Sequence, residues 1–203
     1  MTKATDLNFE FYFTRGLTYA EYYDGHVAKI AAEHLLPVAE QDHYLHYIEL
    51  NLHRVNRLNT TYKPDAELTA IIDGLKQPLR WLIISEYWCG DAAQNVPVLA
   101  AIAQASKGKI DLRLVFRDKN LELMDAFLTN GTRSIPKLIQ LNEAWEVMST
   151  WGPRPEVAQN LVIELKANPE TADNYAEQLH LWYAKNRSEE LVKEISALLQ
   201  SSS

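Results

Sequence analysis

The chain has 203 residues, a formal net charge of −7 and a single cysteine. This length suits one substantial hydrophobic core with a small appended subdomain. The acidic balance disfavours nonspecific binding to nucleic acid or anionic membranes, and one cysteine excludes a disulfide within the chain. No apolar stretch approaches the roughly 20 residues that a membrane-spanning helix needs. The N-terminus lacks the apolar segment of a secretory signal, so we expect a reducing, cytoplasmic location.

Residues 1–64 are predicted to form a helical extension. Thr18 and Glu21 have the spacing of a capping box at the start of a first long helix. A second helix is predicted over 42–58, and Pro37 in the short link favours antiparallel packing of the two. Aromatic residues of this region are expected in the core: Phe9, Phe11, Phe13, Tyr19, Tyr22 and Tyr23. Because no Pro-, Gly- or Ser-rich linker follows, we expect the extension to pack on the rest of the chain.

One row of the predicted second helix carries side chains that ligate metals in other proteins. These are Asp42, His46, Glu49 and His53, at positions i, i+4, i+7 and i+11. However, the row borders the apolar stripe of the helix, where polar residues belong in any case. No other predicted helix carries a matching motif, so the sequence predicts no metal site.

Residues 65–166 alternate between helix and strand patterns, which predicts an α/β core. The predicted order is a short helix after Pro64, a strand at 81–85, a helix at 91–106, a strand at 110–116, a helix at 121–128, a hairpin of 137–141 and 145–150, and a helix after Pro153 and Pro155. Residues 167–203 are predicted to add two helices. Their apolar stripes are Tyr175, Leu179 and Trp182 in one helix, and Leu191, Ile195 and Leu198 in the other.

Cys89 lies between the first predicted strand and the helix that follows it. A thiol at the N-terminus of a helix meets free backbone N–H groups and the positive end of the helix dipole, which favour the reactive thiolate. Asp91, two residues later, raises the thiol pKa by like-charge repulsion or simply complements the helix dipole. The alternative for Cys89 is a buried structural cysteine. Its location favours a functional thiol.

Several features carry a resemblance to a known family. In chain order they are the turn Trp88-Cys89-Gly90, Pro97 eight residues after Cys89, the segment Arg133-Ser134-Ile135-Pro136-Lys137, and Gly152. Together they resemble the thioredoxin family over roughly 65–165. The resemblance implies a thioredoxin-like fold, an α/β central mixed sheet flanked by helices, here with an N-terminal helical extension and extra C-terminal helices. It also implies a cis peptide bond between Ile135 and Pro136, close to Cys89.

Three departures from the family pattern restrict the chemistry. Ala92 stands where the family has its second, resolving cysteine, and Asp91 replaces the proline between the two cysteines. Ile83 occupies the position of a buried aspartate that resembles a general base for the resolving thiol. Because that base and that thiol are missing together, a dithiol disulfide reductase is excluded. The pattern resembles an atypical single-cysteine branch with a Trp-Cys-Gly-Asp-Ala turn.

The resemblance also implies where a substrate binds. In thioredoxin-like proteins the backbone before the cis-proline pairs with the substrate chain, so Ile135 and Pro136 would present the substrate and Trp88 would wall the groove. Arg133 and Arg154 flank this implied groove, and either suits a carboxylate such as that of glutathione. The alternative for both arginines is an ordinary exposed position.

The leading hypothesis is monothiol redox chemistry in cell redox homeostasis. Cys89 would be the nucleophile, a protein or a small-molecule thiol or disulfide the partner, and glutathione the co-substrate, with no bound cofactor. The alternative is a non-catalytic thioredoxin-fold module that binds proteins or peptides. A third hypothesis is an iron–sulfur or persulfide carrier, which needs glutathione or a second subunit for further ligands.

Overall fold

A computed structural model describes residues 7–201 of the chain and shows an α/β fold. Its four-stranded mixed sheet has the order β2-β1-β3-β4, and only the β1–β2 pair is parallel. The strands are β1 (Leu79–Ser85), β2 (Ile110–Phe116), β3 (Lys137–Leu141) and β4 (Val147–Trp151). Residues 1–6, where the sequence predicts no secretory signal, and residues 202–203 lie outside the described part.

Helices flank the sheet and continue beyond it at both ends of the chain. Before β1 come α1 (Phe9–Thr14), α2 (Tyr19–Glu33), α3 (Leu45–Thr61) and α4 (Ala66–Asp73), and between the strands come α5 (Gly90–Ala105) and α6 (Leu121–Asp125). After β4 come α7 (Glu156–Ala167), α8 (Tyr175–Asn186) and α9 (Glu189–Gln200). Over residues 7–201, none of these helices has the length and apolar character to cross a membrane.

The centre of the sheet is apolar on both faces, as the continuous apolar run predicts. Every residue of β1 except Arg80 is buried, because helices cover the sheet on both sides. Two polar side chains buried at the centre of the sheet pair with each other: the Trp81 indole N–H donates to the side-chain oxygen of Gln140 at 2.9 Å. The thioredoxin-like α/β architecture is therefore confirmed.

The helices before β1 pack on the sheet and on α5. The capping box of Thr18 and Glu21 is present at the start of α2. Residues late in α2 meet residues early in α3, since His34 contacts Glu49 while Tyr19 contacts Asn59, so these helices are antiparallel. α3 in turn contacts α5 and the turn before it. The extension thus shares one hydrophobic core with the sheet.

Some predicted boundaries are wrong. α3 begins at Leu45, because Asp42 lies in the preceding turn, where it pairs with Lys29. α6 stops at Asp125, and the next residues form turns leading to a short bridge between Thr129 and Thr132. β4 begins after Trp145, whose φ of 64° closes the hairpin turn.

Two side-chain predictions also differ from the structure. Leu199 is fully buried in α9, whereas Leu198 is only partly buried. Phe11 is 46% exposed, whereas Phe9 and Phe13 are buried. In the described part of the chain, no group of three His, Cys, Asp or Glu side chains is placed to hold a metal ion.

Because α3 joins the shared core through Leu58, we predict that Leu58→Ala lowers the stability of the whole chain. Leu58 is 5% exposed, and truncating such a side chain leaves a cavity that costs about 2–5 kcal/mol. Leu50→Ala, on the 38% exposed side of the same helix, is the control and should cost much less. Urea unfolding followed by far-ultraviolet circular dichroism measures both. A separate early transition of the extension would contradict the shared core.

Candidate functional site around Cys89

Cys89 is the residue that caps the N-terminus of α5. Its Sγ accepts a hydrogen bond from the Ala92 N–H at 3.4 Å, as the helix position predicts. The same thiol donates to the carbonyl oxygen of Ile135 at 3.2 Å, and the residue is only 8% exposed. The turn therefore brings Cys89 against the segment before β3.

That segment has the backbone features that the sequence resemblance implies. The Ile135–Pro136 peptide bond is cis, and a second cis bond, which the sequence analysis missed, joins Gly152 and Pro153. Gly152 has a φ of 112°, and a Cβ at this position would lie 2.2 Å from the Pro136 carbonyl oxygen. Only glycine fits here, because the backbone after β4 runs against the backbone before β3.

A largely buried ion pair acts on the thiol. Arg154 contacts both carboxylate oxygens of Asp91, with Nη2 at 2.5 Å and Nε at 3.1 Å. The Tyr183 hydroxyl donates to Asp91 at 2.7 Å, and Asn95 donates to the Tyr183 oxygen at 3.0 Å. These bonds join the start of α5 to the segment before α7 and to α8.

Burial sets the protonation state of Cys89. Desolvation by burial, and after it the Asp91 carboxylate, raise the pKa of the thiol to about 12. The N–H groups of Ala92 and Asp91, followed by Arg154, act in the opposite direction and are weaker. The expectation of an acidic thiol at the helix end is therefore wrong for this conformation, in which Cys89 is protonated at neutral pH.

A model of the thioredoxin family matches residues 38–168, from the turn before α3 to the end of α7. The chain belongs to the thioredoxin family. The match is wider than the segment that carries the sequence motifs, because it includes α3. No curated protein matches the sequence.

Two solved structures share the fold. A protein of unknown function from Pseudomonas aeruginosa has a TM-score of 0.62 and 15% sequence identity, with 100% of both chains covered. An HIV epitope-scaffold has a TM-score of 0.59 and 16% identity, and the match covers 97% of this chain and 100% of that chain. These likenesses include the helices outside the sheet, and they concern the fold alone.

Two of the three positions where this thioredoxin-family chain departs from the family pattern are buried in the core. Ile83 is fully buried in β1, and Ala92 is 3% exposed in α5. Neither offers a proton acceptor or a sulfur atom to the thiol. Cys89 therefore has no partner for an internal disulfide, and no carboxylate stands at the position of the family's base.

The two arginines proposed for anion binding already hold carboxylates of the protein. Arg133 forms two hydrogen bonds with Asp125, at 2.6 and 2.8 Å, on the surface. Arg154 pairs with Asp91, as described above. Each guanidinium group would have to exchange its present partner to bind a glutathione carboxylate, which costs part of the binding free energy.

The sequence analysis missed Trp88's neighbours. The Tyr44 ring stacks on Trp88 at 5.4 Å, and the Arg117 guanidinium lies 4.6 Å from the centre of the Trp88 ring. Arg117 also donates to the Arg133 carbonyl at 3.4 Å. These contacts join distant segments, and no local pattern indicates them.

His180 of α8 is a second missed residue. A Cβ on Gly90 would lie 2.8 Å from His180 Nε2 and 3.5 Å from Arg54 Nη1, so α8 packs directly on the turn. Burial, and after it the Arg54 charge, lower the pKa of His180 to about 4, while Asp91 acts in the opposite direction. The ring is therefore neutral at neutral pH.

We predict that Gly152→Ala destabilises the protein by about 3 kcal/mol or more, because the new Cβ overlaps the Pro136 carbonyl. Gly108→Ala is a matched control: its φ is 96°, but its Cβ would meet nothing within 4 Å. The control should cost only about 1–2 kcal/mol of backbone strain. Chemical unfolding measures both, and equal losses would contradict a close approach at Gly152.

His180 predicts a loss of stability in acid. Its folded pKa of about 4 lies below the unfolded value of about 6.5, so the unfolded state binds the proton more readily. Protonation of His180 therefore does not lower the free energy of unfolding above pH ~6.5. Between pH ~6.5 and ~4 it lowers that free energy by no more than about 1.4 kcal/mol per pH unit. We expect His180→Gln to reduce this slope in unfolding experiments, whereas His46→Gln, on an exposed residue, leaves it unchanged.

Proposed function

We propose that this thioredoxin-family protein acts as a non-catalytic module that binds a protein or peptide through the surface beside Trp88. One observation carries the proposal. The Cys89 thiol is buried and protonated, and it donates its hydrogen to the Ile135 carbonyl. A nucleophilic cysteine needs the thiolate and access to its substrate, and this thiol has neither in the described conformation.

The groups that would complete a redox cycle support the same proposal. Ala92 supplies no second thiol to break a mixed disulfide, and Ile83 supplies no base. In a dithiol enzyme the second thiol attacks the mixed disulfide at a high effective concentration, and this chain lacks that thiol. Turnover would depend wholly on an external thiol that reaches a covered sulfur.

The backbone edge that the family uses for substrates is also engaged. The carbonyls of Arg133 and Ile135 accept hydrogen bonds from Arg117 and Cys89. A partner strand would compete with these donors for the same oxygens. The half-exposed Trp88 ring and the surface beyond it are the accessible part of the site.

A second candidate is monothiol chemistry at Cys89, favoured by the Ala92 N–H directed at Sγ beside the cis-proline. Cys89 would lose its proton to solvent and attack the glutathione sulfur of a glutathionylated substrate, forming a mixed disulfide with glutathione and releasing the substrate thiolate. A second glutathione thiolate would then attack the mixed disulfide, releasing the Cys89 thiolate and glutathione disulfide. This exchange needs a conformation that exposes the sulfur, and neither candidate needs a bound cofactor. The single cysteine supports a reducing cytoplasm as the location of either function.

Thiol reactivity separates the two candidates. For the binding module we expect iodoacetamide to alkylate Cys89 at least about a hundredfold more slowly in the folded chain than in urea, because a pKa of about 12 leaves little thiolate. Mass spectrometry follows the adduct. The control is Cys89→Ser with Ala176→Cys, which places one thiol on the exposed side of α8 and should react at nearly the same rate in both states. Rapid alkylation of folded Cys89, or catalytic deglutathionylation, would favour the monothiol enzyme.

A further inference from the structure

A groove of about 780 Å³ is lined in part by Trp88, whereas Pro136 and Gly152 are not among its lining residues. Its aromatic walls are Tyr44, Tyr87, Trp88 and Phe116, and its charged lining is Lys29, Glu33, Glu40, Asp42, Glu86, Asp118 and Lys119. The volume is within the ~300–1,000 Å³ of ligand-binding clefts. One wall is the segment between α2 and α3, which we call the strap (residues 35–44).

The groove carries an excess of negative charge. Five carboxylates and two lysines line it, which leaves three net negative charges. Lys29 is already shared by Glu33 at 2.7 Å and Asp42 at 3.1 Å. Arg117, outside the lining, holds Asp118.

Among the described residues, Glu86 is one of two groove carboxylates, with Glu40, that form no ion pair, although the charges of Arg117 and Lys119 act on it from a longer distance. One of its oxygens accepts the backbone N–H of Asp118 at 2.9 Å, and in the described part of the chain no basic side chain lies within ion-pair distance. It is partly buried, and this burial raises the pKa of its carboxyl. A cation placed in the groove would offset the cost of desolvating the Glu86 carboxylate by charge attraction. The aromatic side chains that line the groove suit the apolar stem of Lys or Arg.

The strap indicates that the occupant is a macromolecule. Leu35 is 87% exposed and Val38 is 85% exposed, next to strap residues that line the groove. A small cation inside the groove would leave both uncovered, whereas a protein segment crossing the strap would bury them. Neighbouring exposed apolar side chains of this kind are typical of protein contacts.

We infer that the groove beside Trp88 binds a Lys- or Arg-bearing segment of a partner protein, with its cation against Glu86 and its apolar residues on Leu35 and Val38. The inference rests on the proposed binding function and names the chemistry of the partner.

Short synthetic peptides that place one arginine among apolar residues test the inference, with binding followed by fluorescence anisotropy. The same peptides with citrulline in place of arginine keep the shape and lose the charge. We expect Glu86→Gln to weaken arginine-peptide binding at least about tenfold and to abolish the preference over citrulline. Glu170→Gln, an exposed carboxylate outside the groove, is the matched control and should bind like the unchanged chain. Leu35→Ser with Val38→Ser, on exposed side chains that folding does not need, should also weaken binding several-fold.

Equal affinity for the arginine and citrulline peptides, or equal binding by the Glu86→Gln and Glu170→Gln chains, would overturn the inference. Self-association in sedimentation experiments that the strap substitutions abolish would also overturn it. Binding to lipid vesicles that the same substitutions abolish would do so too. The thiol experiment stays separate. If Cys89 is unreactive and the chain shows no preference for the arginine peptide, this inference alone is overturned. If Cys89 is catalytic, the proposed function is overturned whatever the result with the peptides.

Discussion

The buried carboxylate of Asp91 joins three parts of the chain that the sequence separates widely. It receives hydrogen bonds from Arg154, which follows β4, and from Tyr183 of α8, and it sits in the first turn of α5. A buried charge is tolerated only when its partners are in place, because removing one leaves the other desolvated. The network therefore fixes where α8 and the segment before α7 lie on the Cys89 turn.

The same arrangement explains why the thiol at this position of the thioredoxin fold is buried and protonated. A helix N-terminus lowers a thiol pKa when water or a cation reaches the sulfur. In this chain the Ile135 carbonyl, the Asp91 carboxylate and the surrounding apolar groups disfavour the negative charge instead. Burial outweighs the two N–H groups at the helix end, so the fold keeps the position of the family's cysteine and changes its chemistry.

Local patterns were enough to predict most of the fold. The capping box of Thr18 and Glu21, the bounds of β2 and β3, and the thioredoxin-like order around Cys89 were correct, because each depends on near neighbours in sequence. The start of α3 was wrong because Asp42 prefers Lys29, a partner on another helix. Sequence patterns could not predict the exposed fraction of Cys89 either, since it depends on how distant segments cover the turn.

The site shows the same division. Motif order predicted Trp88, Cys89, Ile135 and Pro136 as site residues, and the structure brings Cys89 into contact with Ile135. Tyr183, His180 and Tyr44 were missed, because an aromatic or imidazole side chain on a helix gives no sign of the distant group it will meet. The resemblance predicts a backbone scaffold, whereas the side chains that cover the scaffold come from outside its motifs.

Gly90 is the position in the turn where side chains from outside the motifs pack most closely. His180 and Arg54 approach the glycine so closely that a methyl group would displace the imidazole of α8. The family's glycine beside its cysteine thus serves here as a packing surface for a C-terminal helix. α8 and Arg154 pack against the turn, and Arg117 lies over the Trp88 ring. The acidic groove bordered by the strap is an open region beside the same indole. The proposed binding function therefore places contact with a partner at the indole and Glu86, and not at the sulfur.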